Sequence, residues 1–308
     1  LAEASVPNPA FPTPAAPHPA VNARRAEAIG AHLPPLIVAA DRIAATVAQG
    51  VHGRRRVGQG DSFWQFRPFV AGDTTQRIDW RQSAKSSRAF VRETEWEAAQ
   101  TVYLWSAAAP SMNWRSGPAL PTKATRASLL LLALAALLLR GGERAALLAA
   151  DAPRPVAGRA GLDRLAETLG RQTSGTALPL GLSAPRHARA VLIGDFLSPL
   201  ADIRAAVAAL AAIPVTGTIV QVLDPAEIDL PYAGRVRFTG LGQEPETLIP
   251  RVEAVRDAYA SRLHAQIEGL AAICSAAGWT CTLHRTDNAP EAALLGLYTA
   301  LAPQAGRR

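Results

Sequence analysis

From residue 100 onward, short apolar runs alternate with longer helical stretches, and this alternation constrains the fold more than any other feature of the chain. Runs of strand length lie at 101–106, 145–150, 190–194, 216–223 and 279–284. Helical patterns separate them at 123–140, 162–171, 201–212, 250–277 and 290–301. The first of these helices is apolar on every side from Leu129 to Leu139. That run is too short to cross a bilayer and suits a buried helix, with Gly141-Gly142 closing it. Strand–helix–strand succession implies an α/β fold, a mainly parallel sheet with helices on both faces.

In such sheets ligands sit beyond the carboxyl ends of the strands. Two of those ends carry polar groups, in Ser106-Ala107-Ala108-Ala109-Pro110-Ser111-Met112 and in Gly194-Asp195-Phe196-Leu197-Ser198. Ser111 and Asp195 are therefore expected to face each other across the top of the sheet.

The N-terminal third has another texture. Residues 1–22 are rich in Pro and Ala and read as a disordered tail. Residues 23–49 carry helical patterning broken at Pro34-Pro35, with Leu36, Ile37, Ala40, Ile43, Ala44 and Val47 on one face and Gly50 as a stop. Between 51 and 97, Phe63, Trp64, Phe66, Phe69, Trp80, Phe90 and Trp96 crowd a segment punctuated by Gly58, Gly60 and Gly72. Short strands and turns around an aromatic cluster are expected there. The domain plan is a tail at 1–22, a helix and small aromatic-rich β subdomain at 23–99, an α/β domain at 100–302 and a tail at 303–308.

Charge narrows the partners. The net charge is +7, carried almost wholly by arginine, for Lys85 and Lys123 are the only lysines. The densest basic stretch is Arg54-Arg55-Arg56; Arg77, Arg81, Lys85, Arg88 and Arg92 follow, interleaved with Asp73, Asp79, Glu93, Glu95 and Glu97. Mixed signs of this kind favour a solvated or protein-binding face over a nucleic-acid footprint. The first residues lack the charged start and apolar core of a secretory signal. Cys274 and Cys281 form neither a disulfide framework nor a zinc pattern, so a reducing cytoplasm is expected.

Catalytic signatures are missing. His18, His32, His52, His187, His264 and His284 have no metal-binding spacing, and neither a Gly-x-Ser-x-Gly elbow nor a Walker loop occurs. Gly58-Gln59-Gly60 is too short for a phosphate cradle, and the two cysteines read as buried thiols.

The segment Gly72-Asp73-Thr74-Thr75-Gln76-Arg77-Ile78-Asp79-Trp80-Arg81-Gln82-Ser83-Ala84 resembles the signature of a bacterial family catalogued as domain of unknown function number fifty-eight. Arg92-Glu93-Thr94-Glu95, Ile193-Gly194-Asp195-Phe196 and Asp224-Pro225-Ala226-Glu227-Ile228-Asp229-Leu230-Pro231 support it, and the likeness covers roughly residues 25–302. The resemblance implies a von Willebrand factor A-like (Rossmann-like) fold. It also implies a MoxR-type AAA+ ATPase as partner and a client protein that is remodelled or matured.

That fold's metal-ion-dependent adhesion site uses an Asp-x-Ser-x-Ser loop, with a Thr and a second Asp from later loops. On this resemblance Ala107 stands at the Asp position and Ala109 at the first Ser, leaving Ser111, with Asp195 as the later Asp. No Thr is placed. A hard cation needs several oxygen ligands, so no cofactor is expected beyond weak Mg²⁺ at a degenerate site. Asp195 reads either as a helix cap or as a vestigial ligand, and Ser111 as a loop hydroxyl. The signature segment reads either as a turn ordered by an Arg77–Asp79 ion pair or as a partner-docking surface formed by Asp73, Arg77, Asp79, Trp80 and Arg81. A non-enzymatic adaptor is the leading expectation; a metal-dependent, hydrolase-like enzyme using Asp195 is the alternative.

Overall fold

The computed structural model describes residues 38–48, 63–70, 78–86, 88–94, 100–149, 154–171, 175–241 and 246–301. The two terminal tails expected from composition lie outside them.

Five strands form the central sheet in the order β4-β3-β5-β6-β9: Arg144–Leu147, Thr101–Ser106, Arg189–Gly194, Thr216–Leu223 and Thr280–Arg285. Every pairing within it is parallel. Beside β4, Val156 adds one antiparallel bridge to Ala145, which marks the sheet edge. The inner strands are buried on both faces, which is why they read in sequence as unbroken apolar runs.

Helices cover both faces. On one side pack α3 (Lys123–Arg140), α4 (Gly158–Gly170) and α8 (Pro290–Ala300); on the other pack α5 (Leu200–Ala211) and α7 (Arg256–Ala276). Helix α3 is the keystone: Leu130 through Leu139 are all buried, so it lies inside the molecule rather than on its surface. Thr122 caps its start, accepting from the Thr125 amide, and the chain turns away from its end through Gly142 at φ 82°. Helix α1 (38–48) adds Ala40, Ala44 and Val47 to the same core, and Asp41 on it pairs with Arg140 at 2.8 Å. No helix among the described residues is long and apolar enough to cross a membrane.

The order of strands and helices follows the sequence reading, but the strand expected at 145–150 is Arg144–Leu147 and the helix expected at 162–171 is Gly158–Gly170, and three further differences stand out. The helix expected over 250–277 begins only at Arg256, after a 3₁₀ turn at Val252–Ala254. A five-residue helix, α6 (Pro225–Asp229), follows β6 directly. Two short strands, β7 (Val236–Phe238) and β8 (Thr247–Ile249), form their own antiparallel pair. In the N-terminal part, β1 (Phe63–Pro68) pairs antiparallel with β2 (Phe90–Thr94), with α2 (Trp80–Ser83) between them in sequence. The described part of the segment expected as a β subdomain is thus one antiparallel strand pair and a short helix.

Close packing is tightest where Trp279 lies on β6. Its indole N–H donates to the Val215 carbonyl at 2.9 Å, and its ring covers Gly217 so closely that a Cβ there would come within 2.2 Å of ring carbons. Gly217→Ala is therefore expected to lower stability by about 1–3 kcal/mol through overpacking. Urea unfolding of the variant checks this, and an unchanged midpoint would show that the ring moves freely.

Candidate functional site

The chain leaves β3 toward β4 on one side and returns to β5 on the other, so the crevice between β3 and β5 is a topological switch point. The 3₁₀ turn Pro110–Asn113 presents Ser111 there, and Asp195 follows the last residue of β5. Ser111 Oγ donates to Asp195 Oδ2 at 2.6 Å, so the two residues meet as the sequence reading expects. Asp195 does not cap a helix: α5 starts behind Pro199, which makes no side-chain cap bond. Its backbone carbonyl instead accepts from Gln221 Nε2 at 2.9 Å.

Sequence reasoning missed the group at the centre. Lys123, the first residue of α3, is wholly buried, and its ammonium lies 3.1 Å from Asp195 Oδ2 and 2.5 Å from Glu227 Oε1. A cation at a helix N-terminus opposes the helix dipole, and nothing acidic occupies the first turn of α3 to relieve it. Carboxylates from distant segments supply the compensation. Glu227 is held by a capping box: its Oε2 accepts from the Asp224 amide at 2.9 Å, while Asp224 Oδ1 accepts from the Ala226 amide. Asp224 Oδ2 accepts from the Ser116 amide at 3.0 Å, which ties the loop after β3 to the end of β6. Tyr259 of α7 donates to the Glu227 carbonyl. Burial raises the Glu227 carboxyl above the ordinary carboxylate range, against the pull of the Lys123 ammonium.

A divalent metal of the kind the resemblance implies does not fit here. Ala107 and Ala109 offer methyls at two ligand positions, and both are buried packing residues. The Ala107 methyl sits so close to Gly194 that a Cβ on that glycine would be 2.8 Å away. Asp224 is committed to backbone amides, Thr122 to the first turn of α3, and the ammonium already stands between the remaining carboxylates. Among the described residues no group of three or more His, Cys, Asp or Glu side chains is placed to hold a metal ion.

One turn along α3, Arg126 points instead toward the end of β9, where its Nη2 donates to the Thr286 carbonyl at 2.7 Å. Arg126 Nε, His284 Nε2 and Thr286 Oγ1 are buried without a hydrogen-bond partner among the described residues. Burial first, and then the charge of Arg126, push His284 down to about 4, with Asp287 pulling the other way. The neighbouring Cys281 thiol and burial raise Cys274, whereas the same neighbour lowers Cys281.

The signature segment divides. Asp73 and Arg77 lie outside the described residues, and so does the expected Arg77–Asp79 pair. Asp79 is structural: its Oδ1 accepts from the Gln82 amide at 2.9 Å, capping α2, and its own amide donates to the Phe90 carbonyl. The Ser83 hydroxyl links the Asp79 carbonyl to the Phe90 amide. Trp80, by contrast, is 69% exposed, with Arg81 exposed beside it.

Two outcomes are expected from these charges. Lys123→Met leaves two carboxylates without a counter-ion and costs about 3–5 kcal/mol in urea unfolding; adding Asp195→Asn recovers part of it, and a silent Lys123→Met would mean the ion pairs are not formed. His284 binds its proton more weakly folded than unfolded. Stability it contributes above its ordinary value of 6.5 is lost as pH falls from there to about 4. The loss, about 3 kcal/mol, appears as a fall in the urea midpoint between about pH 7.5 and about pH 4.5 that is smaller in His284→Gln. Equal falls in both proteins would place the effect elsewhere.

Comparison with known proteins identifies a family. The family described as "Protein of unknown function DUF58" matches residues 65–268. No curated protein matches. Among solved structures, a conserved hypothetical protein BatB from Bacteroides thetaiotaomicron is 12% identical with a TM-score of 0.41, covering 67% of this chain and 100% of its own. An aerotolerance-related membrane protein from Bacteroides fragilis, solved with multiple mutations to serine, is 14% identical with a TM-score of 0.36, covering 66% and 98%. An uncharacterized membrane spanning protein from Vibrio fischeri is 15% identical with a TM-score of 0.18, covering 67% and 99%. Likeness that distant carries nothing about function.

Proposed function

The chain belongs to the DUF58 family, and we propose that it is a non-catalytic protein-binding module, an adaptor between a MoxR-type AAA+ ATPase and a client protein in a reducing cytoplasm. Trp80 carries the reading. A tryptophan exposed to 69% on a short capped helix, flanked by exposed Arg81, has the composition of an interface anchor. Asp79 contributes by holding that helix rather than by touching a partner. At the top of the sheet the groups an enzyme would need are already engaged: Asp195 takes both Ser111 and Lys123, which argues against the alternative of a hydrolase built on Asp195.

The test is capture of the MoxR-type ATPase of the same organism by the full chain. Trp80→Ala is expected to weaken capture by about 30-fold or more, as loss of a hot spot of 2 kcal/mol does, while changing stability by less than about 0.5 kcal/mol, as exposed substitutions do. Absence of capture, or capture indifferent to Trp80, would overturn the reading.

A further inference from the structure

We infer that Lys123 is a built-in cation: its ammonium stands where the oxygens above the β3–β5 crevice would otherwise require a divalent ion, and keeps this rim in its cation-bound arrangement without metal. The oxygens come from segments far apart in sequence. Asp195 Oδ2, 72 residues from Lys123, and Glu227 Oε1, 104 residues away, both contact Nζ. Ser111 Oγ joins through Asp195. Two carboxylates, one of them 3% exposed, cannot stay ionised at such a place without a positive charge between them. The ammonium provides one, and it is tethered, so neither dilution nor chelation removes it.

The same geometry shows why a metal and this lysine exclude one another. A divalent ion set between Asp195 and Glu227 would occupy the space of Nζ, beside a like charge that has no route to solvent, since the Lys123 side chain is 0% exposed. Removing the ammonium reverses the situation. Lys123→Ala leaves Asp195, Glu227 and the Ser111 hydroxyl around a void the length of a lysine side chain. The Asp195 and Glu227 carboxylates and the Ser111 hydroxyl then offer oxygens to a divalent cation, with water completing its shell of six or more.

The experiment titrates Mn²⁺ alone into the wild-type chain, Asp195→Asn, Lys123→Ala and Lys123→Ala/Asp195→Asn, reading heat and Mn²⁺ paramagnetic resonance. No uptake is expected in the wild type, saturable uptake with a dissociation constant of about millimolar or tighter in Lys123→Ala, and at least tenfold weaker uptake in the double variant. Wild-type uptake abolished by Asp195→Asn overturns the inference, as does a folded Lys123→Ala that takes up no more Mn²⁺ than the wild type. A second measurement needs no variant. Lys85 and Lys123 are the only lysines, so mass spectrometry after amine acetylation of the native chain separates them. Lys85 is modified and Lys123 protected, equally with and without EDTA; a Lys123 that reacts as fast as Lys85 is not a buried counter-ion.

Discussion

A buried ammonium between two carboxylates organises the upper rim of this molecule. Burial of an uncompensated charge is so unfavourable that each partner fixes the others. Lys123 brings the start of α3, Asp195 the end of β5, and Glu227 the helix that follows β6. Ser111 and the Ser116 amide add the loop after β3. Below the rim these segments are joined by the sheet and by apolar packing that includes Met112 and Phe196, and at the rim the polar contacts fix their register. The cost of such a pair relative to an apolar replacement can be near zero or unfavourable, so its effect is on geometry more than on net stability: it specifies one arrangement of four chain ends.

The scaffold beneath was legible because its signals are local or periodic. Strand β3 and helix α3 have the limits their sequence suggests, since a strand buried on both faces is a continuous apolar run and α3 is bounded by a capping threonine and paired glycines. The start of α7 was set too early because the residues from Pro250 to Val255 carry helical composition but form a 3₁₀ turn and a break. Helix α6 carries a local signal too, for Asp224-Pro225-Ala226-Glu227 is a capping box with proline at the first helical position, but its five residues are too few to show a helical period.

The site was half legible for a different reason. That Ala107 and Ala109 cannot ligate a cation follows from residue type alone. What replaces the cation depends on contacts spanning 72 and 104 residues, which no local pattern encodes. One signal was available. In a chain that uses arginine almost everywhere, a lysine opens a buried helix with no acid in its first turn. An ammonium is a compact charge with three donors, whereas a guanidinium is a broad planar fork. A space bounded by a carboxylate at 2.5 Å and another at 3.1 Å suits the compact group. Three residues on, where the partner is a backbone carbonyl at the end of β9, the helix uses arginine. The choice between the two cations along one helix face thus follows the shape of what receives them.

The signature segment obeys the same division between groups that hold and groups that are held out. Asp79 and Ser83 satisfy backbone donors and acceptors around α2 and β2, and an alteration there would loosen the turn. Trp80 sits between them in sequence but gains nothing from the fold: a side chain that large left 69% exposed forgoes roughly 1.5–3 kcal/mol of the stabilisation that burial would give. Of the segment read as a turn or as a docking surface, the described part runs from Ile78 to Ala84. Within it Asp79 and Ser83 hold the turn and Trp80 is displayed on it, and a second surface covering that indole would recover the burial the fold forgoes.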